Sequence, residues 1–275
     1  MLVGVLGETL CLADGGPVDL GTRKQRAIVA GLALSAGRPV SYDALVDLLW
    51  GDSPPDGLPT TLHVYIAGLR KALEPNRAPR TPAQVLVTVG GGYALRVEEV
   101  DAVRFDRVVA DTHRRLGHTG VFATPDLRPD VLTELGTRLD EALALWRGVP
   151  YVDLEGADAA VAERARLEEL RTLALEDRAV VGLALGQHAT VAGELESLTA
   201  AYPLRERLWG LRALALARSG RQADALAALA RIREILDEEL GLEPSLELRD
   251  LQTAVLRQDP ALGWQPAAGS AAQAP

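Results

Sequence analysis

The spacing of apolar residues changes near residue 100. Before that point, short runs that alternate apolar and polar residues lie beside stripes of helical period, which favours a domain that contains both strands and helices. From Asp101 onward the apolar residues recur at helical spacing and strand signals are absent. The pattern predicts a mainly α protein: a domain with small β hairpins over residues 1–97, an all-helical domain over 101–258, and a flexible low-complexity tail over 259–275.

Three helices are predicted in the first domain. Thr22 and Gln25 have the spacing of a capping box at the start of the first helix, and Ser41 can cap the second. The third helix begins near Pro59 and extends to about Glu74, because proline suits the first turn of a helix. Its apolar face consists of Leu62, Ile66, Leu69 and Leu73.

Two hairpins are predicted around these helices. Residues 3–12 alternate loosely before a turn at 14–17, and the strands 85–89 and 93–97 flank three glycines at 90–92. A glycine loop that cradles phosphate leads into a helix, whereas this one leads into another strand, so a hairpin turn is the better interpretation. Strands, three helices and a terminal hairpin describe a winged helix-turn-helix, in which the third helix reads the major groove and the hairpin is the wing.

The face of the third helix opposite its apolar stripe contains no acidic residue before Glu74. It offers hydroxyls that reach phosphates or base edges, small residues that allow close approach, cations for phosphate or guanine, and a valine for a thymine methyl group. The face consists of Thr60, Thr61, His63, Val64, Ala67, Gly68, Arg70 and Lys71. The charged loop with Arg77 and Arg80 and the hairpin turn at Gly91 complete the predicted DNA contacts. Packing of this face on another helix or on solvent remains the alternative.

The net charge of -9 is unevenly distributed along the chain. Residues 1–97 contain nine basic and eight acidic side chains, so the excess of acid belongs to the remainder. A DNA-binding first domain is therefore compatible with an acidic protein.

The second domain is predicted to be an array of helices. Helical segments fall near 101–116, 130–147, 158–186, 188–201, 205–219, 221–240 and 245–257. Gly186 and Gly220 are 34 residues apart, which is the period of tetratricopeptide repeats. Such repeats stack helix hairpins into a surface that binds proteins, so an interaction role is predicted. An ordinary helical bundle with an accidental offset is the alternative.

Several classes of protein are disfavoured by what the sequence lacks. Cys11 is the only cysteine, so neither an intrachain disulfide nor a cysteine-rich zinc site can form. Lys24 and Lys71 are the only lysines and neither follows a glycine, so there is no Walker A motif. The histidines have no metal-ligand spacing. We therefore expect a protein that is not an enzyme and needs no cofactor. The absence of a long apolar run and of an N-terminal signal segment predicts a cytoplasmic protein without a membrane partner.

The motifs of the first domain resemble a known family. They are LVDLLWGD at 45–52, LHVYIAGLRKALE at 62–74 and GYAL at 92–95, and they are similar to the OmpR-type winged helix that opens the Streptomyces antibiotic regulatory proteins. In this family the third helix enters the major groove and the wing contacts the DNA backbone or minor groove. Ala67 and Gly68 stand where the family usually has Arg or Lys.

The second domain resembles the bacterial transcriptional activation domain that follows the winged helix in the same family. Among its motifs are LWRG at 145–148, PLRER at 203–207 and ELGLEP at 239–244. The resemblance implies an activator of secondary-metabolite genes that binds direct repeats in double-stranded promoter DNA as a homodimer and recruits RNA polymerase holoenzyme. It assigns the polymerase contact to the loop that contains Asp52 and Asp56. A helical scaffold whose winged helix binds protein instead of DNA is the alternative.

Overall fold

A computed structural model of the chain describes residues 1–13, 15–51, 58–117, 125–154 and 156–264. The fold is mainly α with small sheets in its N-terminal part, as predicted. The strands are β1 (Leu2–Gly4), β2 (Leu10–Ala13), β3 (Gly16–Pro17), β4 (Val40–Ser41), β5 (Leu86–Val89), β6 (Gly92–Leu95) and β7 (Glu99–Val100). The helices are α1 (Arg23–Leu34), α2 (Tyr42–Trp50), α3 (Leu58–Leu73), α4 (Asp101–Leu116), α5 (Pro129–Leu143), α6 (Asp158–Ala184), α7 (His188–Ala201), α8 (Glu206–Arg218), α9 (Gln222–Leu240) and α10 (Leu246–Arg257).

Contacts divide the chain into two units. The first unit contains Met1–Arg107 and Ala142–Leu170, and the second contains Val108–Glu141 and the residues from Arg171 onward. This division differs from the sequence ranges 1–97 and 101–258, because residues 142–170 pack with the N-terminal part. None of the helices in the described residues is long and apolar enough to cross a membrane.

Two sheets lie in the first unit. In one, the strand order is β3-β2-β1-β7, with β1 antiparallel to β2 and parallel to β7. In the other, the order is β4-β6-β5 and both pairings are antiparallel. The predicted wing hairpin is confirmed as β5 and β6, whereas the two-residue strands β3, β4 and β7 were not foreseen. Gly16 and Pro17, which were predicted as part of a turn, form β3 because they pair with Ala13 and Leu12 of β2.

The starts of α1 and α2 follow their predicted caps. The Thr22 hydroxyl accepts from the Gln25 backbone N–H, and the Thr22 backbone N–H donates to Gln25 Oε1 at 3.1 Å, which completes the capping box. The Ser41 hydroxyl accepts from Ala44 N at 3.2 Å. Because Ser41 also belongs to β4, a single residue pairs with the wing hairpin and starts α2.

The four predicted core residues of α3 are all buried. They are Leu62, Ile66, Leu69 and Leu73. They complete a core with the buried residues of α1, among them Ile28 and Leu32, and with Leu45 of α2. Burial of this stripe fixes which face of α3 remains outside, since side chains about 180° around a helix cannot share one core.

The second unit consists of helix hairpins with a recurrent turn. Gly186 after α6 and Gly220 after α8 both have left-handed φ values, of 80° and 76°, which glycine adopts without steric cost. The equivalent positions Leu195 in α7 and Leu229 in α9 are both buried. The 34-residue offset seen in the sequence is therefore a structural repeat of helix hairpins.

Candidate nucleic-acid interface

The outer face of α3 exposes most of the residues predicted to contact DNA. Thr60, His63, Val64, Ala67, Gly68 and Lys71 are exposed, and Thr61 is half-buried. Val64 stands out because 62% of this apolar residue is exposed, whereas Leu62, Ile66, Leu69 and Leu73 of the same helix are in the core. An exposed valine among hydroxyls and a cation is suited to the floor of a major groove, where thymine presents a methyl group.

Lys71 and Arg70 differ in their surroundings. Lys71 is exposed and forms no ion pair with any described residue, so its charge is available to a phosphate. Arg70 is half-buried, and its Nε donates to Leu86 O at 2.8 Å while its Nη2 donates to Thr88 Oγ1 at 2.7 Å. Its guanidinium also lies 5.8 Å from the ring centroid of Tyr93. Arg70 therefore attaches α3 to both strands of the wing, a role that the sequence did not indicate.

Gly68 lies next to the first turn of α1. A Cβ atom at this position would be 3.0 Å from Gln25 Nε2, which is tighter than ordinary van der Waals contact. Because Gly68 has no side chain, there is room for Gln25 of the capping box. The exposed face of α3 also has no projecting side chain at this position.

The wing turns through two glycines. Gly90 and Gly91 have φ values of 55° and 81°, and nothing lies within 4 Å of a Cβ built on either. Two successive residues with positive φ form the type I′ turn that matches the twist of a hairpin. Gly91 is exposed at the tip, where the sequence analysis placed a DNA contact.

Arg77 and Arg80 are exposed in the loop between α3 and the wing. The Arg77 guanidinium donates to Thr81 O, so this side chain folds back on its own loop. Glu74 Oε1 accepts from Gln84 N at 2.9 Å and closes the same loop. Arg80 has a φ of 65°, which is uncommon for a residue with a side chain.

The predicted polymerase contacts Asp52 and Asp56 lie outside the described residues. Beside this gap, the Lys24 ammonium donates to Leu49 O and lies 5.3 Å from the ring centroid of Trp50. Lys24 therefore holds the last turn of α2, which immediately precedes the predicted loop.

Both parts of the sequence match known families. The family "Transcriptional regulatory protein, C terminal" matches residues 15–95, and "Bacterial transcriptional activator domain" matches residues 100–256. Regulatory protein DnrI of Streptomyces peucetius is 38% identical over the full length of both chains. Transcriptional regulator RedD of Streptomyces coelicolor is 38% identical over 90% of this chain and 68% of its own. The chain belongs to the Streptomyces antibiotic regulatory protein family.

A solved relative has the same fold as this family member. The structure of Mycobacterium tuberculosis EmbR in complex with a low affinity phosphopeptide aligns with a TM-score of 0.79 and 34% identity, over 94% of this chain and 66% of EmbR. The matches to a transcriptional regulatory family and to the bacterial transcriptional activator domain, together with the relatives named as regulators, make this chain a DNA-binding transcriptional activator.

A set of charged residues that the sequence analysis did not single out supports the winged helix of this family member. Asp101 Oδ1 accepts from Val5 N at 2.7 Å, and its Oδ2 accepts from Leu6 N at 3.2 Å and from Arg147 Nη2 at 3.0 Å. The Arg147 backbone N–H donates in turn to Leu6 O at 2.7 Å. These contacts join Val5 and Leu6, which follow β1, to residues more than ninety positions away, so no local pattern could reveal them.

Asp153 makes the second contact of this kind. Its Oδ2 accepts from Thr9 N at 2.8 Å, and its Oδ1 accepts from Arg26 Nε at 3.1 Å. Tyr151, which lies between Arg147 and Asp153 in the sequence, donates its backbone N–H to Val5 O at 2.7 Å. Residues 147–153 thus form a strap that is bonded to the N-terminal strands and to α1, and helps to hold the scaffold on which α3 is mounted.

Proposed function

We propose that this activator binds direct repeats in promoter DNA as a homodimer, with α3 in the major groove and the wing against the backbone or minor groove, and that it recruits RNA polymerase holoenzyme to genes of secondary metabolism. The observation that carries the proposal is the acid-free outer face of α3. That face combines exposed Thr60, His63, Val64 and Lys71 on a helix whose opposite side is buried.

Rigid mounting of the reading helix supports this proposal. Arg70 bonds α3 to the wing, so the two elements that would contact DNA are held together before binding. A contact surface that is already ordered loses less conformational entropy on binding. In this arrangement Lys71, Arg77 and Arg80 contribute phosphate contacts, while His63, Val64 and Thr60 contact bases.

The polymerase contact is proposed for the loop with Asp52 and Asp56, on the strength of the family resemblance. Dimerisation is proposed for the helical second unit, because repeats of helix hairpins present large surfaces to other proteins. We also propose that the chain acts in the cytoplasm and has no catalytic activity of its own.

Footprinting on the DNA that flanks its own gene, with and without RNA polymerase holoenzyme, tests the proposal. A protected pair of direct repeats, extended by polymerase toward a promoter, is the expected result. Binding to random duplex should be weaker and should decrease steeply with salt, because phosphate contacts release counterions. Absence of any DNA binding at low salt would favour the scaffold alternative, and protection without a response to polymerase would exclude recruitment.

A further inference from the structure

Four exposed leucines lie at one end of the second unit. Leu204, Leu240, Leu242 and Leu246 are exposed by 46%, 52%, 56% and 66%. The Ser245 N–H donates to Glu206 Oε2 at 2.7 Å, which brings the residues before α8 to the same end as the α9–α10 connection. We call these four residues the leucine patch. Single exposed leucines are common on protein surfaces, whereas a group of them marks an interaction site.

The backbone of the leucine patch is well fixed. Gly241 ends α9 in the left-handed conformation, and Leu242 N donates to Leu236 O at 3.2 Å. Pro244 is buried, and the Ser245 hydroxyl caps α10. Leu240 and Leu246 are therefore presented from the ends of two helices, and Leu242 from a connection that is fixed by hydrogen bonds.

Acidic residues predominate at the α9–α10 side of the leucine patch, where Glu243 pairs with Arg233 at 3.1 Å. At the other side, Leu204 is followed by Arg205 and Arg207, and both of these arginines pair with the buried Glu176. Between positions 237 and 250 there are six acidic residues and a single basic one, Arg249. Asp237, Glu238 and Glu239 occupy the last turn of α9, which contains no basic residue, and none of the three forms an ion pair with a described residue. The carboxyl end of a helix is the negative end of its dipole, so acidic side chains are least favourable there.

This end of the unit is thus unfavourable in two respects, exposed apolar surface and unbalanced negative charge. A sequence keeps such local conflicts mainly where a function requires them. A binding partner that is positively charged and apolar would relieve both. DNA is repelled by the acidic residues, and a second copy placed on the same patch would bring like charges together.

Resting on the proposed recruitment of polymerase, we propose that the leucine patch docks on a basic surface of RNA polymerase holoenzyme that surrounds an apolar pocket. The contact is separate from the loop with Asp52 and Asp56, since it belongs to the second unit. The leucines supply the apolar contact, and the acidic residues at the α9–α10 side select a basic partner and accelerate its association.

Two variants of the full chain test this inference. The first is the double substitution Leu242→Ser and Leu246→Ser, and the second is Glu238→Gln with Glu239→Gln. Each is titrated with purified holoenzyme on promoter DNA, and binding to the DNA alone is measured in parallel. The leucine variant should weaken assembly of the ternary complex by about tenfold, because a leucine that becomes buried in the contact contributes hydrophobic free energy that serine does not. The glutamine variant should weaken it by about threefold at low salt and have no effect at high salt.

Matched controls are available elsewhere on the chain. Leu256→Ser changes another exposed leucine outside the patch, and Glu141→Gln with Glu194→Gln neutralises two other exposed glutamates of the second unit that form no ion pair with a described residue. Both controls should assemble like the wild type, and DNA affinity should be unchanged throughout. Normal assembly by both patch variants would overturn the inference while leaving recruitment intact, whereas a wild type that does not bind holoenzyme would overturn both. If sedimentation shows that the leucine variant loses self-association instead, the patch binds a second copy and the proposal is wrong.

Discussion

Arg70 and Lys71 are adjacent in α3 but have different surroundings. Arg70 is half-buried and bonded to both Leu86 and Thr88 of the wing, whereas Lys71 is exposed and its charge meets no carboxylate of the described residues. Helical geometry explains the difference, because a step of one residue turns the side chain by about 100°. The sequence predicts both as DNA contacts, and their charge alone does not reveal that Arg70 also contacts the wing.

Alanine substitutions at these two positions should therefore have different effects. Lys71→Ala should weaken binding to specific and random DNA alike and lower the salt slope by about 0.9, with unchanged stability. Arg70→Ala should lower the free energy of unfolding by about 2 kcal/mol, because it removes two hydrogen bonds between α3 and the wing. The DNA affinity of both variants is measured as a function of salt concentration, and their free energy of unfolding is measured in urea. Equal stability loss in the two variants would contradict the structural role of Arg70.

Val64 gives a test of base contact at the level of a methyl group. Val64→Ala should weaken binding to the true site by about 1 kcal/mol, because it removes methyl groups that contact a thymine methyl. The difference should disappear on a site in which uracil replaces that thymine. Val161 is a matched control, since it is an equally apolar and exposed residue of α6, and Val161→Ala should not change DNA affinity. A loss for Val64→Ala that persists on the uracil site would mean that it contacts something other than this methyl group.

The glycines of the wing show how an element depends on particular positions. Gly92 in β6 lies against β4, where a Cβ atom would be 2.1 Å from Val40 O. Gly91 at the turn has open space around it and is constrained only by its φ of 81°. One glycine is therefore required by close approach of two strands, and the other by backbone conformation.

Substitution by alanine should separate these two requirements. Gly92→Ala should cost about 3 kcal/mol of stability, because the collision is with backbone and β4 cannot move without disturbing the start of α2. Gly91→Ala should cost about 1 kcal/mol, the penalty of a left-handed conformation. Urea unfolding of the full chain measures both. A Gly92→Ala protein as stable as Gly91→Ala would show that β4 is not needed to hold the wing.

Local signals explain which elements the sequence could predict. Thr22, Gln25 and Ser41 act on backbone groups within three residues, so their caps are visible in the sequence and were found in the structure. The two-residue strands β4 and β7 are too short for any alternation, and only their distant partners define them. The end of α5 was expected near 147 but lies at Leu143; Leu145 N and Trp146 N close a tighter turn on Ala142 O and Leu143 O, and Arg147 N then bonds to the distant Leu6 O.

At the scale of the whole molecule, the first unit is assembled from two separate stretches of the chain. The edge strand β7, the carboxylate of Asp101 and the strap at residues 147–153 all contact β1 or its neighbours, and all lie beyond residue 97. The two family matches meet near residue 100. Residues on the far side of that boundary nevertheless make contacts that stabilise the winged helix. This dependence bears on any experiment that isolates the DNA-binding domain.

A fragment that ends at residue 97 should be much less stable than the same residues in the full chain. It leaves the N–H groups of Val5 and Leu6 without their acceptor Asp101, and each buried polar group that loses its partner costs about 1–3 kcal/mol. The Val5 and Leu6 amides should exchange with solvent at least tenfold faster in the fragment, which hydrogen exchange measures. Full-length Arg147→Ala is the control, because it retains Asp101 and should show an intermediate rate. If the fragment protects these amides as well as the full chain does, residues 1–97 are an independent domain and the strap is dispensable for their stability.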